Sequence, residues 1–498
     1  MKVGDGAGSP NCSFSGGCFH DSLYCPDAHR VPDLAATTPG LEALGAVSEG
    51  RVSVRGRDRS ALVLTDPDGV RAALARRGKS DVLDQLARAI EVEGDMRTLQ
   101  ARRDTLRAEV NELSKQVGQK RRDGDAGGAE ALQAQSRALG EQEAALSGEA
   151  DALQAELREL LLRIPNLPHP EAPDGKDDHD NPIVKGPFLP ASFPEHQRVP
   201  HWETATALGI LDNERATKIS GAMFTMQRGP GATLSRALCQ YALDMNSDAF
   251  EEIRPPSLVT TATLTATGQL PKFEEDLFAV NKGGQEGEGE PLYLIPTSEV
   301  TLTNLVRDTV LAASELPIRL TAHTPCFRSE AGSAGRDTRG MIRQHQFDKV
   351  EMVQIVHPDK SYEALEQMTG HAEAVLQKLG LPYRVMSLCT GDMGFGAAKT
   401  YDLESHAPGT GSWLEVSSCS CFTDFQARRA RVKYRPEPHL KSEFVHTLNG
   451  SGLAVGRTLV AILENYQQRD GSVIIPKALR PYVRNIDKIT DRDQVFSN

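Results

Sequence analysis

One segment, residues 324–353, combines side chains that would bind phosphates, a flat base and an amino group. Two strand-like runs flank a loop rich in glycine and arginine. Strand alternation places Arg328 and Glu330 on one face of the first run. On the second run one face carries a ring, a cation and a carboxylate: Phe347, Lys349 and Glu351. The pattern predicts a site for a nucleotide together with an amino acid.

Further cations lie in and after this segment. The loop carries Arg336, Arg339 and Arg343. In residues 450–466 a run of small residues leads into a helical pattern, and Arg457 occupies the start of that helix. The helix dipole disfavours a cation there unless an anion joins it, and a phosphate would supply one. Alternatively, Arg457 is solvated or pairs with a nearby acid.

Two short runs add oxygen-bearing side chains. Residues 297–299, Thr-Ser-Glu, follow an apolar strand-like run and would clamp an ammonium group. Alternatively, they form the N-terminal cap of a helix. Residues 415–418, Glu-Val-Ser-Ser, have strand character, and Glu415 beside hydroxyls would bind Mg²⁺ through oxygen ligands. A glutamate at a strand end is also common on an ordinary surface.

The elements that must position these residues lie between about residue 201 and the C terminus. Helical patterns there alternate with short β-rich runs separated by irregular insertions. This arrangement predicts an α+β domain, residues 201–498, built on a mainly antiparallel sheet. The sequence has neither a P-loop nor a dinucleotide-binding fingerprint, so a nucleotide site must be built in another way.

Residues 97–163 show a different pattern, with leucines in strict sevens. Leu99, Leu106 and Leu113 mark a first arm. The second arm carries Leu132, Leu139, Leu146, Leu153 and Leu160 after a turn rich in glycine and aspartate. Two such arms predict an antiparallel coiled-coil hairpin within a domain at 61–165. The first arm is basic and the second acidic. This favours a projecting arm that contacts RNA over a hairpin within a bundle.

The remaining segments predict less. Residues 166–200 are rich in proline and charge and are predicted to be a linker. Residues 1–60 show no periodicity, and their cysteines and histidines lack the close Cys pair of a zinc site. We expect a disordered extension there, or a start codon assigned too early.

Bulk properties exclude some classes of protein. The 498 residues allow two or three domains, and a net charge of −12 argues against non-specific nucleic-acid binding by the whole chain. Eight scattered cysteines are too few for a disulfide framework, which fits the reducing cytoplasm. No apolar run approaches the length of a membrane span, so we expect no membrane association.

Taken together, the motifs resemble those of the bacterial type of seryl-tRNA synthetase, a class II aminoacyl-tRNA synthetase. The resemblance covers roughly residues 62–490. Its motifs include Phe-Arg-Ser-Glu at 327–330, His-Gln-Phe at 345–347, Glu-Val-Ser-Ser-Cys-Ser at 415–420, Asp-Phe-Gln-Ala-Arg-Arg at 424–429 and residues 448–457. The resemblance implies an antiparallel sheet flanked by helices, preceded by the coiled-coil hairpin. One departure is Cys421, which stands where the family commonly has Asn.

The resemblance also implies roles for residues. It implies a serine site made of Thr297, Ser298, Glu299, Glu351 and Ser451. It implies an ATP site made of Arg328, Ser329, Glu330, Arg343, Phe347, Glu415, Val416, Ser417, Ser418 and Arg457. Within the ATP site, Arg328 and Arg457 would act in catalysis, and Glu415 and Ser418 would bind Mg²⁺ together with ATP.

The implied function is that of a serine–tRNA ligase. Such an enzyme activates L-serine with ATP and transfers it to tRNA(Ser), and the family also charges tRNA(Sec). The implied assembly is a homodimer in which one subunit's arm holds tRNA at the other subunit's active site. The alternatives are another class II synthetase, a non-catalytic tRNA-binding paralogue, or an activator that loads a carrier protein.

Overall fold

The computed structural model describes residues 66–281, 291–331 and 339–491. Arg336 and the extension at 1–60 lie outside these ranges. The helices of the described ranges are α1 (Pro67–Ala75), α2 (Ser80–Arg122), α3 (Ala126–Arg163), α4 (His201–Ala207), α5 (Asn213–Ser220), α6 (Pro230–Asn246), α7 (Thr261–Thr267), α8 (Glu299–Thr303), α9 (Ser361–Leu379), α10 (Phe425–Ala430) and α11 (Val455–Tyr466). None of them is both long and apolar enough to cross a bilayer.

The predicted helical hairpin is formed by α2 and α3. Its turn is closed where Asp125 accepts a hydrogen bond from the backbone N–H of Gly128, at 2.9 Å. The leucines in sevens are buried or half-buried along the seam between the helices. At 1.5 Å per residue, α2 is about 65 Å long. The base of the hairpin packs with α1 in an apolar cluster that includes Leu74, Leu86, Leu157 and Ile164.

The strands in the described ranges are β1 (Ile183–Phe188), β2 (Glu251–Glu252), β3 (Leu258–Thr260), β4 (Ala279–Val280), β5 (Leu292–Leu294), β6 (Val310–Ala312), β7 (Ile318–Phe327), β8 (Gln346–Val356), β9 (Tyr383–Ser387), β10 (Lys399–Ala407), β11 (Ser412–Thr423), β12 (Lys433–Arg435), β13 (Glu443–Phe444), β14 (His446–Ala454), β15 (Val473–Ile474) and β16 (Lys488–Ile489). Eight of them form one sheet in the order β1-β9-β10-β11-β14-β8-β7-β2. Its neighbours are antiparallel except β2 and β7, as the mainly antiparallel prediction requires.

Strand β1 lies within residues 166–200, the range predicted to be a linker. It pairs with β9 and forms an edge of the large sheet, and its side chains are exposed. This segment therefore contributes to the sheet as well as connecting the hairpin to it. The domain boundaries themselves stay a prediction.

The two faces of the sheet have different neighbours. Helices α6, α9 and α11 cover one face, where Val350 and Met352 are fully buried in the main apolar core. The other face of β8 carries Phe347 and Lys349, which line a cavity. The predicted alternation along this strand is confirmed. It separates the residues that stabilise the fold from those that face the cavity.

Candidate active site

The cavity on the open face of the sheet has a volume of about 560 Å³. Ten of the predicted site residues line it: Thr297, Glu299, Arg328, Glu330, Arg343, Phe347, Glu415, Ser418, Ser451 and Arg457. They come from β8, β11, β14, α8 and α11, from the segments that follow β5 and β7, and from the loop that precedes β8. The sheet therefore brings together groups that lie up to 160 residues apart in the chain.

One end of the cavity is built from buried, hydrogen-bonded polar groups. Glu351 is fully buried and accepts from Lys349 Nζ at 2.5 Å, from Asn449 Nδ2 at 3.0 Å and from Thr297 Oγ1 at 3.3 Å. Lys349 Nζ also donates to Thr297 Oγ1 at 2.8 Å. These contacts satisfy the charge of Glu351 and fix the rotamer of Thr297.

Glu299 is the second carboxylate at this end. It begins α8, as the helix-cap alternative required, and its backbone N–H donates to Thr297 Oγ1 at 3.1 Å. Gln426 Nε2 donates to Glu299 Oε1 at 2.6 Å. Burial, reinforced by the charge of Glu351, raises the pKa of Glu299 to about 7. A carboxylate that is costly to ionise here would be stabilised by an ammonium group.

Beyond this polar cluster the cavity carries three arginines and an aromatic ring. The Arg328 guanidinium lies 5.3 Å from the centre of the Phe347 ring, and its Nε donates to the Pro296 carbonyl at 3.3 Å. Arg343 forms a short ion pair with Glu330. The sequence placed Arg328 and Glu330 on one strand face, and this was wrong. Strand β7 ends at Phe327, and Glu330 adopts a left-handed backbone with φ of 53°.

Arg457 lies in the first turn of α11, where the sequence predicted it. Its Nη1 donates to the Glu415 carbonyl at 3.0 Å and lies 3.4 Å from Glu415 Oε2, and its Nε donates to the Ile342 carbonyl at 3.2 Å. The local acid of the alternative interpretation is therefore present. Arg457 nevertheless lines the cavity, where an anion could join it.

A β-bulge places Glu415 and Ser418 on the same face. Ser417 pairs with Leu403 on β10, whereas Glu415 pairs with the next residue, Glu404, so Val416 is an extra residue in β11. Without it, residues three apart would point to opposite faces. Val416 itself is fully buried in the core and does not line the cavity.

Four other predicted residues also have side chains outside the cavity lining. Ser298 is fully buried, and the Ser417 hydroxyl donates to the Ser451 carbonyl at 2.5 Å. The Ser329 hydroxyl donates to the carbonyl of Glu275. Glu351 does not line the cavity itself, but it binds Thr297 and Lys349, which do. Cys421 is buried in the core, where burial raises the pKa of its thiol to about 11.

Comparisons with known proteins agree with this geometry. Residues 60–168 match the family model of the seryl-tRNA synthetase N-terminal domain. Residues 278–466 match the class II tRNA synthetase core domain (G, H, P, S and T). The serine–tRNA ligase of Albidiferax ferrireducens is 54% identical over 429 residues, which cover 84% of this chain and 94% of that protein. The chain belongs to the seryl-tRNA synthetase family.

Solved structures of the family show the same fold. The seryl-tRNA synthetase of Pyrococcus horikoshii complexed with ATP matches with a TM-score of 0.80 and 34% identity, over 86% of this chain and 98% of that one. The cytoplasmic serine–tRNA ligase of Naegleria fowleri in complex with AMP matches with a TM-score of 0.74 and 31% identity, over 85% and 96% of the two chains. The predicted class II fold is confirmed.

Sequence reasoning missed several residues of this seryl-tRNA synthetase cavity. Lys349, Asn449 and Gln426 hold the two buried carboxylates, yet none of the three was predicted as a site residue. Lys349 was visible as a cation on the same strand face as Glu351. Asn449 and Gln426 gave no signal, because their partners lie 98 and 127 residues away in the chain.

The predicted Mg²⁺ ligands can be tested against their surroundings. Asp402 pairs with Ser418 across β10 and β11, and its Oδ1 is buried without a hydrogen-bond partner among the described residues. Burial and the nearby charge of Glu415 raise the pKa of Asp402 well above its usual range. An orphaned carboxylate oxygen beside a second carboxylate and a hydroxyl is a donor set that suits a hard divalent cation.

Proposed function

We propose that this cavity activates L-serine with ATP to form seryl-adenylate and pyrophosphate, and that the enzyme then transfers serine to the 3′ end of tRNA(Ser). One observation carries the proposal. A buried Thr297–Glu299–Glu351 cluster lies at one end of a cavity whose other end presents Arg328, Phe347 and Arg457. Such a cavity suits an amino acid and a nucleotide held end to end. Serine–tRNA ligase activity agrees with the family.

The first step needs no nucleophile from the protein, because the serine carboxylate attacks the α-phosphorus of ATP. Catalysis therefore rests on positioning the two substrates and on stabilising the charge that develops on the phosphoryl oxygens. Arg328 supplies positive charge next to the ring of Phe347, which would stack on adenine. Arg457 and Arg343 supply it towards the leaving pyrophosphate.

Glu415 and Ser418, with Asp402 beside them, would hold Mg²⁺ together with ATP. The ion would supply positive charge to the phosphates. Arg457 also pairs with Glu415, so the same carboxylate would orient a catalytic cation.

Serine selectivity follows from the polar end of the cavity. A pocket that hydrogen-bonds the substrate hydroxyl leaves buried polar groups unpaired when alanine binds, a penalty of roughly 10⁴-fold or more. Ser451 and the Thr297 cluster provide such partners. Threonine carries the same hydroxyl and must be excluded by shape.

The hairpin of α2 and α3 would contact the long extra arm of tRNA(Ser). Exposed cations on its distal half, such as Arg102, Arg121 and Arg122, support an anionic partner. We extend the proposal to tRNA(Sec) and to a homodimer in which one subunit's hairpin reaches tRNA at the other's cavity. A tRNA-binding domain at 61–165, a catalytic domain at 201–498 and a cytoplasmic location belong to the same proposal.

The direct test is serine-dependent ATP–pyrophosphate exchange across a panel of amino acids, followed by aminoacylation of total tRNA. We expect exchange with serine alone and charging of tRNA(Ser). If none of the amino acids supports exchange, the protein would be better explained as a non-catalytic paralogue. Exchange with serine but no charging of tRNA would favour an activator of a carrier protein.

A further inference from the structure

One wall of the cavity belongs to a short loop between β9 and β10. Residues 393–397, Met-Gly-Phe-Gly-Ala, form this wall segment, and all but Met393 line the cavity. Phe395 packs edge-on against Phe425, with ring centres 5.6 Å apart. A Cβ added to Gly396 would lie 2.9 Å from the ring of Phe422, so the backbone itself approaches the aromatic cluster.

Every carbonyl of the wall segment accepts a hydrogen bond from the base of the hairpin. Arg77, in the turn between α1 and α2, donates to the carbonyls of residues 393 and 394 at 3.2 Å each and of residue 397 at 2.5 Å. Asn166, just beyond the end of α3, donates to the carbonyl of residue 395 through its backbone N–H at 2.9 Å. Its side-chain Nδ2 donates to the carbonyl of residue 396 at 3.0 Å.

The two donors are themselves buried and linked. Arg77 and Asn166 are each 4% exposed, and Arg77 Nε donates to the Asn166 carbonyl at 2.9 Å. Asn166 Nδ2 also donates to the Phe422 carbonyl on β11 at 2.8 Å. Within the described residues, the acceptors recorded for the buried Arg77 guanidinium are backbone carbonyls. A guanidinium with that set of acceptors fixes backbone geometry more than it neutralises charge.

We propose that Arg77 and Asn166 are positioning residues for the amino-acid substrate, because they fix the wall segment from the base of the hairpin. The inference rests on the proposed function and assigns to it two residues that do not line the cavity. It makes the base of the tRNA-binding hairpin a structural part of the serine end of the active site.

Contacts lead from the wall segment to the serine end. Phe395 packs on Phe425, and the next residue, Gln426, donates to Glu299 Oε1 at 2.6 Å. The nucleotide end, with Phe347 and Arg343, is formed by other strands and loops. A displaced wall segment should therefore weaken serine binding before it weakens ATP binding.

The test is steady-state pyrophosphate exchange without tRNA, using the full chain and its Arg77→Met, Arg77→Lys and Asn166→Ala variants. We expect Arg77→Met to raise the KM for serine about tenfold, since misplacing substrate contacts by about 1 Å costs up to 10²-fold, and to change the KM for ATP less than about twofold. Arg77→Lys keeps the charge but not the fork of donors, so it should show a smaller rise. Asn166→Ala should also raise the KM for serine more than the KM for ATP, because it removes a side-chain hydrogen bond to the same wall segment.

Arg76→Met provides the matched control. Arg76 also lies at the hairpin base, but it binds Asp174 and the carbonyls of residues 169 and 172, outside the wall segment. The KM of the Arg76→Met variant for serine should stay within about twofold of the parent value. Counting active sites by the burst of seryl-adenylate, with the melting temperature of each variant, separates misplacement from misfolding.

Several outcomes would overturn the inference. These are an unchanged KM for serine, equal rises in the KM values for serine and ATP, or a loss of exchange rate that is fully explained by a smaller number of active sites. If Arg77→Met does not fold, the inference is tested by comparing the KM values for serine and for ATP in Arg77→Lys and Asn166→Ala. If the parent enzyme itself shows no serine-dependent exchange, the proposed function fails instead.

Discussion

Replacing Glu299 by glutamine should stabilise the protein at alkaline pH while it impairs serine binding. Glu299 is buried, and the cost of ionising it beside Glu351 raises its pKa to about 7, against 4.5 for an ordinary glutamate. The folded state therefore binds more protons than the unfolded state between these values. Stability must fall as the pH rises through this window, and the fall ends just above pH 7.

The magnitude follows from the two pKa values. Linkage gives a loss of about 2 to 3 kcal/mol between pH 5 and pH 8 from this one carboxyl group, because each pKa unit corresponds to about 1.4 kcal/mol. Glutamine keeps the shape and accepts the same hydrogen bond from Gln426, but it does not titrate. The stability of Glu299→Gln relative to the parent should therefore rise by about 2 to 3 kcal/mol over that range.

Urea unfolding followed by tryptophan fluorescence is a suitable assay. The chain has two tryptophans, Trp202 and Trp413, and both lie C-terminal to the hairpin, so the signal reports unfolding outside the hairpin. Glu214→Gln, the same change at an exposed position of α5 outside the hairpin, is the control for the loss of a carboxylate alone. A constant stability difference between Glu299→Gln and the parent from pH 5 to pH 8 would refute the reasoning.

The same ionisation predicts how serine binding responds to pH. The serine ammonium group would favour the charged form of Glu299, so binding should release a proton near neutral pH. The KM for serine should fall as the pH rises through about 7 in the parent enzyme, and this dependence should disappear in Glu299→Gln. If the KM of the parent enzyme for serine stays constant between pH 6 and pH 8, Glu299 does not bind the serine ammonium group.

Three further changes test the rest of the cavity and the hairpin. Arg328→Ala should slow adenylate formation by on the order of 10³-fold with the melting temperature unchanged, and a near-normal exchange rate would remove Arg328 from catalysis. Glu351→Gln should raise the KM for serine far more than that for ATP, since Glu351 organises Thr297 and Lys349; equal rises would contradict this. Deleting residues 100–147 and closing the hairpin with a short turn should abolish aminoacylation but spare serine-dependent exchange, because the apolar base cluster is retained. Loss of both activities would show that the distal hairpin is structural.

Regular elements could be predicted from the sequence because their patterns are local. Leucines in sevens predicted α2 and α3, and alternation in β8 separated the core residues Val350 and Met352 from Phe347 on the cavity side. Each of these predictions needs only the period of a helix or a strand. The Arg457 prediction needed only the direction of a helix dipole.

Other features could not be predicted because they depend on partners that are distant in the chain. The raised pKa of Glu299 needs its burial in the folded chain and the charge of Glu351, 52 residues further along. The wall segment is fixed by hydrogen bonds from Arg77 to carbonyls more than 300 residues away in the chain. No local period encodes such contacts, so a reading of composition and spacing passes over them.

Local rules of secondary structure fail at several residues that the proposed function uses. Glu330 leaves the strand in a left-handed conformation that non-glycine residues seldom adopt, and it pairs there with Arg343. The bulge at Val416 interrupts a strand, and it places Glu415 and Ser418 side by side. Glu299 is buried at a cost in stability that glutamine would avoid. Each departure places a group that the proposed function uses, as expected when selection acts on a site as well as on the fold.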